Sequence, residues 1–434
     1  MSGAEMSSAA PEVRPGMVRD EPANVSGERA VAEGTVRAPG KAKVSRWLAL
    51  DLFRFMAVVL MVQGHVFFEV LSNTVREQGW YGWHKYVHGF TAPIFLFSSG
   101  LAFGITTLGR WKEHATPGKA VAKRFERYAI LVGLGYVIHL PVIALSWVLE
   151  LPPERLAGLT RIDALQHIGV VLAMCEAMVL VLRHKGPYLA FVGVALVAAV
   201  FSAPWVWNWD VSALPIPLAA YVNDHTTSIF PIVPWCGFIL SGVLAARFVE
   251  HRRGKVSPDL RELAVPIAAI GMALLAIGIL GRENWDPFPE HNFWKTSPWF
   301  FFIRAGWIFI VLAILCAIDV AIARARRKRA ERTGVAHARD GRVLRFIQIV
   351  GTQTLVIYVA HLFLIYGIGP LPGAKSFWHR TLGLGGSLAV VSVFFVLMAA
   401  LAWAWGWTKK NHLKTFDRVR YAITALIVIA FLVR

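Results

Sequence analysis

The chain has 434 residues, of which 56% are hydrophobic and only 17% are charged, whereas soluble domains carry about 25% charged residues. The mean hydropathy of +0.52 therefore comes from long apolar stretches, with the charge confined to the segments between them. This composition argues against a soluble globular enzyme. The net charge of +18 does not indicate nucleic-acid binding either, because no folded basic domain remains to carry it.

The N-terminal segment, residues 1–46, is rich in Ala, Gly, Pro, Glu, Ser and Arg and has no apolar periodicity. Such a segment cannot bury enough apolar surface to fold, so we predict a disordered tail. It does not resemble a secretory signal, because no apolar region occurs before residue 47. Residues 47–434 are predicted to form one transmembrane domain.

The apolar runs that follow the tail are long enough to cross a bilayer, which takes ~20 residues. They predict an all-α, polytopic integral membrane protein with about ten or eleven transmembrane helices. The runs lie at residues 47–71, 86–109, 128–149, 162–182, 187–203, 229–246, 263–281, 298–320, 346–369, 383–407 and 420–433. The fifth run is short, and the eleventh, which is shorter still, could lie in the interface instead of crossing.

Basic residues are concentrated in every second loop. The tail and five loops carry most of the 45 Lys and Arg residues, and these loops are 110–127, 183–186, 247–262, 321–345 and 408–420. Because cytoplasmic loops are enriched in Lys and Arg, this alternation predicts a cytoplasmic N-terminus and a basic cytoplasmic linker over 321–345. With eleven spans, the C-terminus is expected outside.

The first span carries four ionisable side chains, Asp51, Arg54, His65 and Glu69. An ionisable residue at membrane depth is costly and marks a functional site by default. At about 100° per residue, the four lie within one narrow stripe of the helix. Asp51 and Arg54 can pair, and Glu69 can hold one nitrogen of His65 and fix its tautomer. A polar stripe that only joins helices is the alternative interpretation.

Further ionisable side chains reach similar depth in other spans, namely His361, Arg304, Asp163, His167 and His139. We predict that they line a polar cavity in the outer half of the bundle, although each alone is also consistent with a satisfied buried polar group. Glu176 lies about 180° around its helix from His167, so we leave it out of the cavity.

The start of the third span carries Arg124 and Arg127, which are three residues apart and share a helix face at the cytoplasmic boundary. Two guanidinium groups in this position can bind phosphates bidentately. Ordinary positive-inside charge explains the same spacing equally well.

No metal site is predicted. His84 and His88 have a usable helical spacing, but no HExxH or CxxC motif accompanies them. Cysteines occur only within apolar runs, at Cys175, Cys236 and Cys316, where they behave as small hydrophobic residues. They indicate neither a disulfide framework nor a thiolate cluster.

The stripe on the first span has a familiar spacing. Asp51-x2-Arg54, followed after ten residues by His65, resembles the first-helix signature of bacterial membrane O-acyltransferases of the acyltransferase-three family. Three later stretches are similar to further motifs of that family: FLFSSG at 95–100, RFER at 124–127 and YVAH at 358–361.

Other stretches resemble a sister branch, the heparan-α-glucosaminide N-acetyltransferase catalytic-domain-like proteins. They are the LDLFRF opening, HGFTAPIFLFSSG, RIDALQHIGVVL, FPIVPWCGFILSG and GTQTLVIYVAH. Each stretch is short and mostly apolar, so their order and spacing carry the resemblance.

The resemblance implies a multipass acyltransferase in a bacterial cytoplasmic membrane. It would take an acyl group, with acetyl the expected one, from acyl-CoA on the cytoplasmic side. The acceptor would be a hydroxyl or amine of a glycan-like molecule on the outer side. The partners expected are thus the lipid bilayer, acyl-CoA and this acceptor, with no nucleic acid and no metal.

Within this interpretation, His65 acts as a general base on the acceptor or as the acyl-accepting nucleophile. Glu69 orients His65, and Arg54, held by Asp51, positions CoA or a developing anion. The two arginines of RFER bind the CoA phosphates. The alternative is a proton-coupled transporter or flippase that uses the same intramembrane groups, whereas a structural scaffold would not explain the buried charges.

Overall fold

The computed structural model describes residues 47–140, 144–152, 158–253, 260–333, 341–368 and 371–413, together with single positions between 418 and 432. Trp47–Arg434 form one compact unit. The tail predicted as disordered, residues 1–46, lies outside the described residues, as does most of the eleventh predicted span, 420–433.

Helices make up most of the described part of the chain, which also contains one short hairpin. The helices are α1 (Leu48–Val70), α2 (Asn73–Arg76), α3 (Gly79–His88), α4 (Thr91–Gly109), α5 (Trp111–Ala115), α6 (Lys119–Ile138), α7 (Leu145–Leu149), α8 (Ala164–Leu182), α9 (Lys185–Trp207), α10 (Ile216–Val222), α11 (Ile232–Arg253), α12 (Leu260–Asn284), α13 (Pro298–Thr333), α14 (Arg342–Thr352), α15 (Thr354–Tyr366), α16 (Ala374–Trp378) and α17 (Leu384–Asn411). Strands β1 (Gly367–Ile368) and β2 (Leu371–Pro372) pair antiparallel between α15 and α16.

Within the described ranges, eight helical segments are long and apolar enough to cross a membrane. They are α1, the run from α3 through α4, α8, α9, α11, α12, α13 and α17. A ninth candidate is the pair α14 and α15, which is bent by 74°. The protein is therefore an all-α polytopic membrane protein, as the apolar runs predict.

The third predicted span, 128–149, differs from the structure. Helix α6 begins at Lys119 and ends at Ile138, and it is not among the membrane-crossing candidates of the described chain. Its first turns carry Lys123, Arg124 and Arg127, so the charged part of the predicted loop and the apolar part of the predicted span share one helix.

The first part of the linker predicted over 321–345 is not a loop, because α13 continues as a helix to Thr333. Its 36 residues correspond to a length of about 54 Å. The extension consists mainly of Ala, Arg and Lys, which are good helix formers. An ion pair between Arg327 and Glu331, 3.0 Å apart at i,i+4, supports it.

Helix α1 lies inside the bundle and contacts α3, α4 and the helices from α13 to α17. The adjacent pair α4 and α11 packs closely because glycines remove side chains from the contact. A Cβ on Gly100 would meet the carbonyl of Ile239, and one on Gly242 would meet the carbonyl of Phe97.

The C-terminal end of α1 is tied to the segment between α15 and α17. The backbone N–H of Arg380 donates to the carbonyl of Glu69 at 2.8 Å, and that of Leu382 donates to Val70 at 2.9 Å. Gly367 starts the hairpin at φ +87°, a conformation that favours glycine. We call the side of the bundle where α1 begins the basic side, and the side where it ends the opposite side.

Candidate active site

Two cavities meet in the middle of the bundle. The basic-side cavity has a volume of about 410 Å³, and the opposite-side cavity has a volume of about 890 Å³. Phe95, Ala164 and Tyr358 line both cavities. These three residues therefore form a common wall, and a molecule in one cavity lies next to a molecule in the other.

The basic-side cavity is lined by four arginines, Arg54, Arg110, Arg124 and Arg127. The structure thus places the two RFER arginines beside Arg54 of the first-helix stripe and adds Arg110, which the sequence analysis did not single out. Four guanidinium groups around one cavity favour an anionic ligand, because each offers planar, charged donors that match phosphate oxygens.

A buried carboxylate holds Arg124 in this arrangement. The Oε1 atom of Glu176 lies 3.3 Å from Nη1 of Arg124, and its Oε2 atom lies 2.8 Å from Nδ1 of His114. Glu113 adds a second, exposed carboxylate 3.7 Å from Arg124. Glu176 faces away from His167, as its spacing predicts, but that other face of α8 packs against the arginine cavity. The position of Glu176 deep within an apolar span is the sequence feature that could have identified it as a functional residue.

On the other side of the wall, His65 and His361 form a hydrogen-bonded pair. The Nδ1 atom of His361 lies 2.9 Å from the carbonyl of Ile357, and a carbonyl only accepts, so this nitrogen carries the proton. In a neutral ring, Nε2 of His361 is then an acceptor, and Nδ1 of His65, 2.8 Å away, donates to it. These two bonds assign the tautomers and leave the Nε2 lone pair of His65 free to act as a base.

This pairing changes the expected role of two residues. His361 is fully buried behind His65 instead of lining the cavity, and it provides the orienting contact that the sequence analysis expected from Glu69. Glu69 lines the opposite-side cavity, where its Oε2 lies 3.4 Å from Nζ of Lys375 and 3.3 Å from Nδ1 of His379. The side chain of Glu69 therefore faces α16 and the residue that follows it.

The remaining predicted cavity residues divide into two groups. Arg304, Asp163 and His139 line the opposite-side cavity. His139 Nε2 lies 3.3 Å from Asp163 Oδ2, while the other oxygen of Asp163 accepts the N–H of Ala164 at 2.7 Å and caps α8. His167 instead is fully buried, and its Nδ1–H donates to the carbonyl of Phe230 at 3.0 Å, which ties α8 to the start of α11.

Asp51 lies at the contact between α1 and α14. It is buried, and Gly351 packs directly against its carbonyl. Arg54 faces the basic-side cavity. The ion pair between Asp51 and Arg54 stays a prediction.

His88 is a further neighbour of His65 that the sequence analysis did not place in the site. The two rings stand edge to face at a centroid distance of 5.7 Å, and His88 lines the opposite-side cavity. A Cβ on Gly64 would collide with the ring of His88, so this glycine makes room for it. Among the described residues, no three His, Cys, Asp or Glu side chains are grouped to hold a metal ion.

A polytopic helical bundle that encloses a basic cavity and a histidine-containing cavity, separated by one wall, has the features of an integral membrane enzyme. The profile of the acyltransferase-3 family, described as an acyltransferase domain, matches residues 47–408. The chain belongs to this family and is a membrane acyltransferase. No curated protein matches the chain.

The family match covers every residue of the candidate site, from Asp51 to His361. It confirms the resemblance to the acyltransferase-three proteins and, with it, an enzyme that transfers an acyl group within a bilayer to an acceptor. The resemblance to the heparan-α-glucosaminide branch stays a prediction.

Proposed function

We propose that the protein takes an acyl group, with acetyl the expected one, from acyl-CoA in the basic-side cavity. It passes this group to a hydroxyl or amine of a glycan-like acceptor in the opposite-side cavity. The observation that carries the proposal is the common wall of Phe95, Ala164 and Tyr358, since it sets an arginine cluster and a histidine base on either side of one layer of side chains.

The arginine cluster suits CoA because the nucleotide end of this donor carries several phosphates. Arg124, already fixed by Glu176, offers a preordered charged contact, and Arg110 and Arg127 lie around the same cavity. From Arg54 to His65, α1 rises about 16 Å. The pantetheine arm of CoA runs along this rise, so that the thioester reaches the common wall.

The chemistry then needs one proton acceptor near the thioester. Nε2 of His65 removes the proton from the acceptor hydroxyl or amine as the acceptor atom bonds to the thioester carbonyl carbon. The carbon–sulfur bond breaks, the acyl group stays on the acceptor, and the CoA thiolate takes up the proton from His65. The hydrogen bond from Nδ1 of His65 to His361 is kept throughout.

The same lone pair also fits a two-step route. In that route, Nε2 of His65 attacks the thioester itself and CoA leaves, so that an acyl-histidine transfers its group to the acceptor. The hydrogen bonds of His65 and His361 are compatible with both routes. Trapping of an acyl-histidine separates them.

The proposal places the basic side in the cytoplasm, with the N-terminus there too, and it is tested with oriented membrane vesicles. Acetyl-CoA does not cross membranes, so vesicles with the basic side outward that also enclose a glycan-like acceptor should release CoA thiol from added acetyl-CoA. Vesicles of the opposite orientation should not. The variant Ala330→Cys reports orientation through an impermeant maleimide, because residue 330 lies in the basic extension of α13.

CoA release from vesicles in which residue 330 is shielded would contradict the assignment of the two sides. If the folded protein binds no acetyl-CoA in either orientation, acyl-CoA is not the donor, and the acyltransferase uses a different one.

A further inference from the structure

Arg304 is a cation that the acyl transfer described above does not use. Its guanidinium group lies in the opposite-side cavity, 4.2 Å from the ring centre of Phe300 and 5.6 Å from that of Trp235. Its Nε atom is buried without a hydrogen-bond partner in the described part of the chain. Stacking on aromatic faces attracts a cation, but it does not satisfy the N–H groups along the edge of the guanidinium.

The charges around Arg304 are unbalanced. Four cationic side chains line the same cavity, Lys85, Arg161, Arg304 and Lys375, against two carboxylates, Glu69 and Asp163. Both carboxylates have nearer partners, because Glu69 lies 3.4 Å from Lys375 and Asp163 lies 3.3 Å from His139. Within the described residues, neither carboxylate is an ion-pair partner of Arg304, and a cation at membrane depth without a counter-charge is costly.

Arg304 is also close to the proposed base. Its Nη2 atom lies 3.6 Å from the point that a Cβ of Gly89 would occupy. The preceding residue, His88, stands next to His65 at a ring distance of 5.7 Å. A group bound by Arg304 would therefore keep the rest of the same molecule beside His65.

We propose that the acceptor carries a phosphate or carboxylate group, and that Arg304 binds this anion while a hydroxyl or amine of the acceptor faces His65. The inference rests on the proposed function and specifies its substrate class. A planar guanidinium binds such an anion through two parallel hydrogen bonds. The buried Nε1–H of Trp235, which has no partner among the described residues, supplies another donor beside it.

Binding of anionic and neutral probes to the purified protein tests this assignment. Saturating CoA first fills the basic-side cavity, so that its arginines do not bind the probes. Glucose 6-phosphate and glucuronate, measured by titration calorimetry, should then bind at least tenfold more tightly than glucose. Nanodiscs containing phosphatidylinositol, which carries hydroxyls and a phosphate on a lipid, form a second arm that distinguishes a lipid headgroup from a soluble sugar acid.

The variant Arg304→Gln should weaken binding of the anionic probes roughly tenfold to a hundredfold, as expected for losing a charged hydrogen-bonded contact. Its affinity for glucose and for acetyl-CoA should not change. Arg304→Lys keeps the charge but not the planar fork, so it should recover only part of the affinity. Arg282→Gln is the matched control, because Arg282 also stacks on an aromatic ring, that of Phe293 at 4.5 Å, but does not line the cavity.

Equal binding of glucose and the two anions would overturn the inference, and so would unchanged anion affinity in Arg304→Gln or the absence of binding in both arms. In each case, intact acetyl-CoA binding would show that the proposed donor site survives. A fall in turnover of Arg304→Gln without any change in probe affinity would assign Arg304 to the developing oxyanion and also overturn the inference.

Discussion

The two cavities differ in how their polar side chains are held. In the basic-side cavity, a buried carboxylate, Glu176, fixes the guanidinium of Arg124 and the ring of His114. In the opposite-side cavity, neutral hydrogen bonds run from His65 to His361 and from His361 to the backbone. The first arrangement favours tight binding of an anion, whereas the second leaves one nitrogen reactive. Donor binding and proton transfer therefore belong to different sides of the common wall, and substitutions should affect them separately.

The largest effect is expected from His65→Ala. Removal of a general base should lower the rate of acyl transfer about 10²–10⁴-fold, while the dissociation constant of acetyl-CoA stays the same. Transfer from radiolabelled acetyl-CoA and calorimetric binding measure the two quantities. If His65 is the nucleophile, the loss should be larger.

His84→Ala is the control for this variant. His84 is bonded to Gln63 at 2.8 Å and stacks on His88, but it does not line either cavity. Near-normal turnover of His65→Ala together with an inactive His84→Ala would show that the catalytic histidine does not belong to the stripe of ionisable residues on α1.

Glu176→Ala tests whether the basic-side cavity depends on its buried carboxylate. The change leaves Arg124 and His114 without their buried counter-charge, which should lower the free energy of unfolding by about 3–5 kcal/mol. Glu113→Ala removes the exposed partner of the same arginine and should cost less than about 1 kcal/mol. Thermal or denaturant unfolding of both variants in detergent compares them, and similar effects would show that Glu176 does not organise the cavity.

Arg124→Ala combined with Arg127→Ala should weaken acetyl-CoA binding without altering the histidine pair. A lost charged contact costs about 1.5–3 kcal/mol, which corresponds to a tenfold to hundredfold rise in the dissociation constant. The control pair Arg329→Ala with Arg332→Ala has the same spacing on the extension of α13, outside the cavity. An equal rise in the dissociation constant of both double variants would indicate that the RFER arginines contribute only ordinary positive-inside charge.

The smallest effect is expected from His361→Phe, which removes the acceptor for Nδ1–H of His65. A neutral hydrogen bond contributes about 0.5–1.5 kcal/mol, so kcat should fall about twofold to tenfold while KM for acetyl-CoA is unchanged. His361→Gln offers a carboxamide oxygen as acceptor and should retain more activity. Equal losses in the two variants would indicate that His361 only fills space behind His65.

Much of the fold follows from local composition, because a bilayer demands long apolar helices and apolar runs are visible in any window of the chain. The parts of the fold that composition does not predict are charged segments that form helices. The sequence predicts loops at the charged start of α6 and at the basic end of α13, because neither segment can lie in a bilayer. In the structure, each segment is continuous with an apolar helix.

Spacing along the sequence predicts which residues share a face of one helix, but not which side chains of different helices contact each other. Spacing places Arg54, His65 and Glu69 on one face of α1, but the partner of His65 is His361, 296 residues further along the chain. Glu69 fits the spacing of an orienting carboxylate, but the direction of its side chain depends on α16, which no local pattern links to α1. Glu176 shows the same limit, because its role follows from packing against α5 and α6.

The position of the thioester relative to His65 is the most direct test of the two-cavity arrangement. In the variant His65→Cys, the new thiol should be alkylated by bromoacetyl-CoA, which carries an electrophilic carbon where acetyl-CoA carries its methyl group. Peptide mass spectrometry should find the adduct at position 65, and excess CoA should prevent its formation. The variant His84→Cys should stay unmodified. An adduct at position 84 and none at position 65, or labelling that CoA does not suppress, would contradict a donor that reaches from the basic-side arginines to His65.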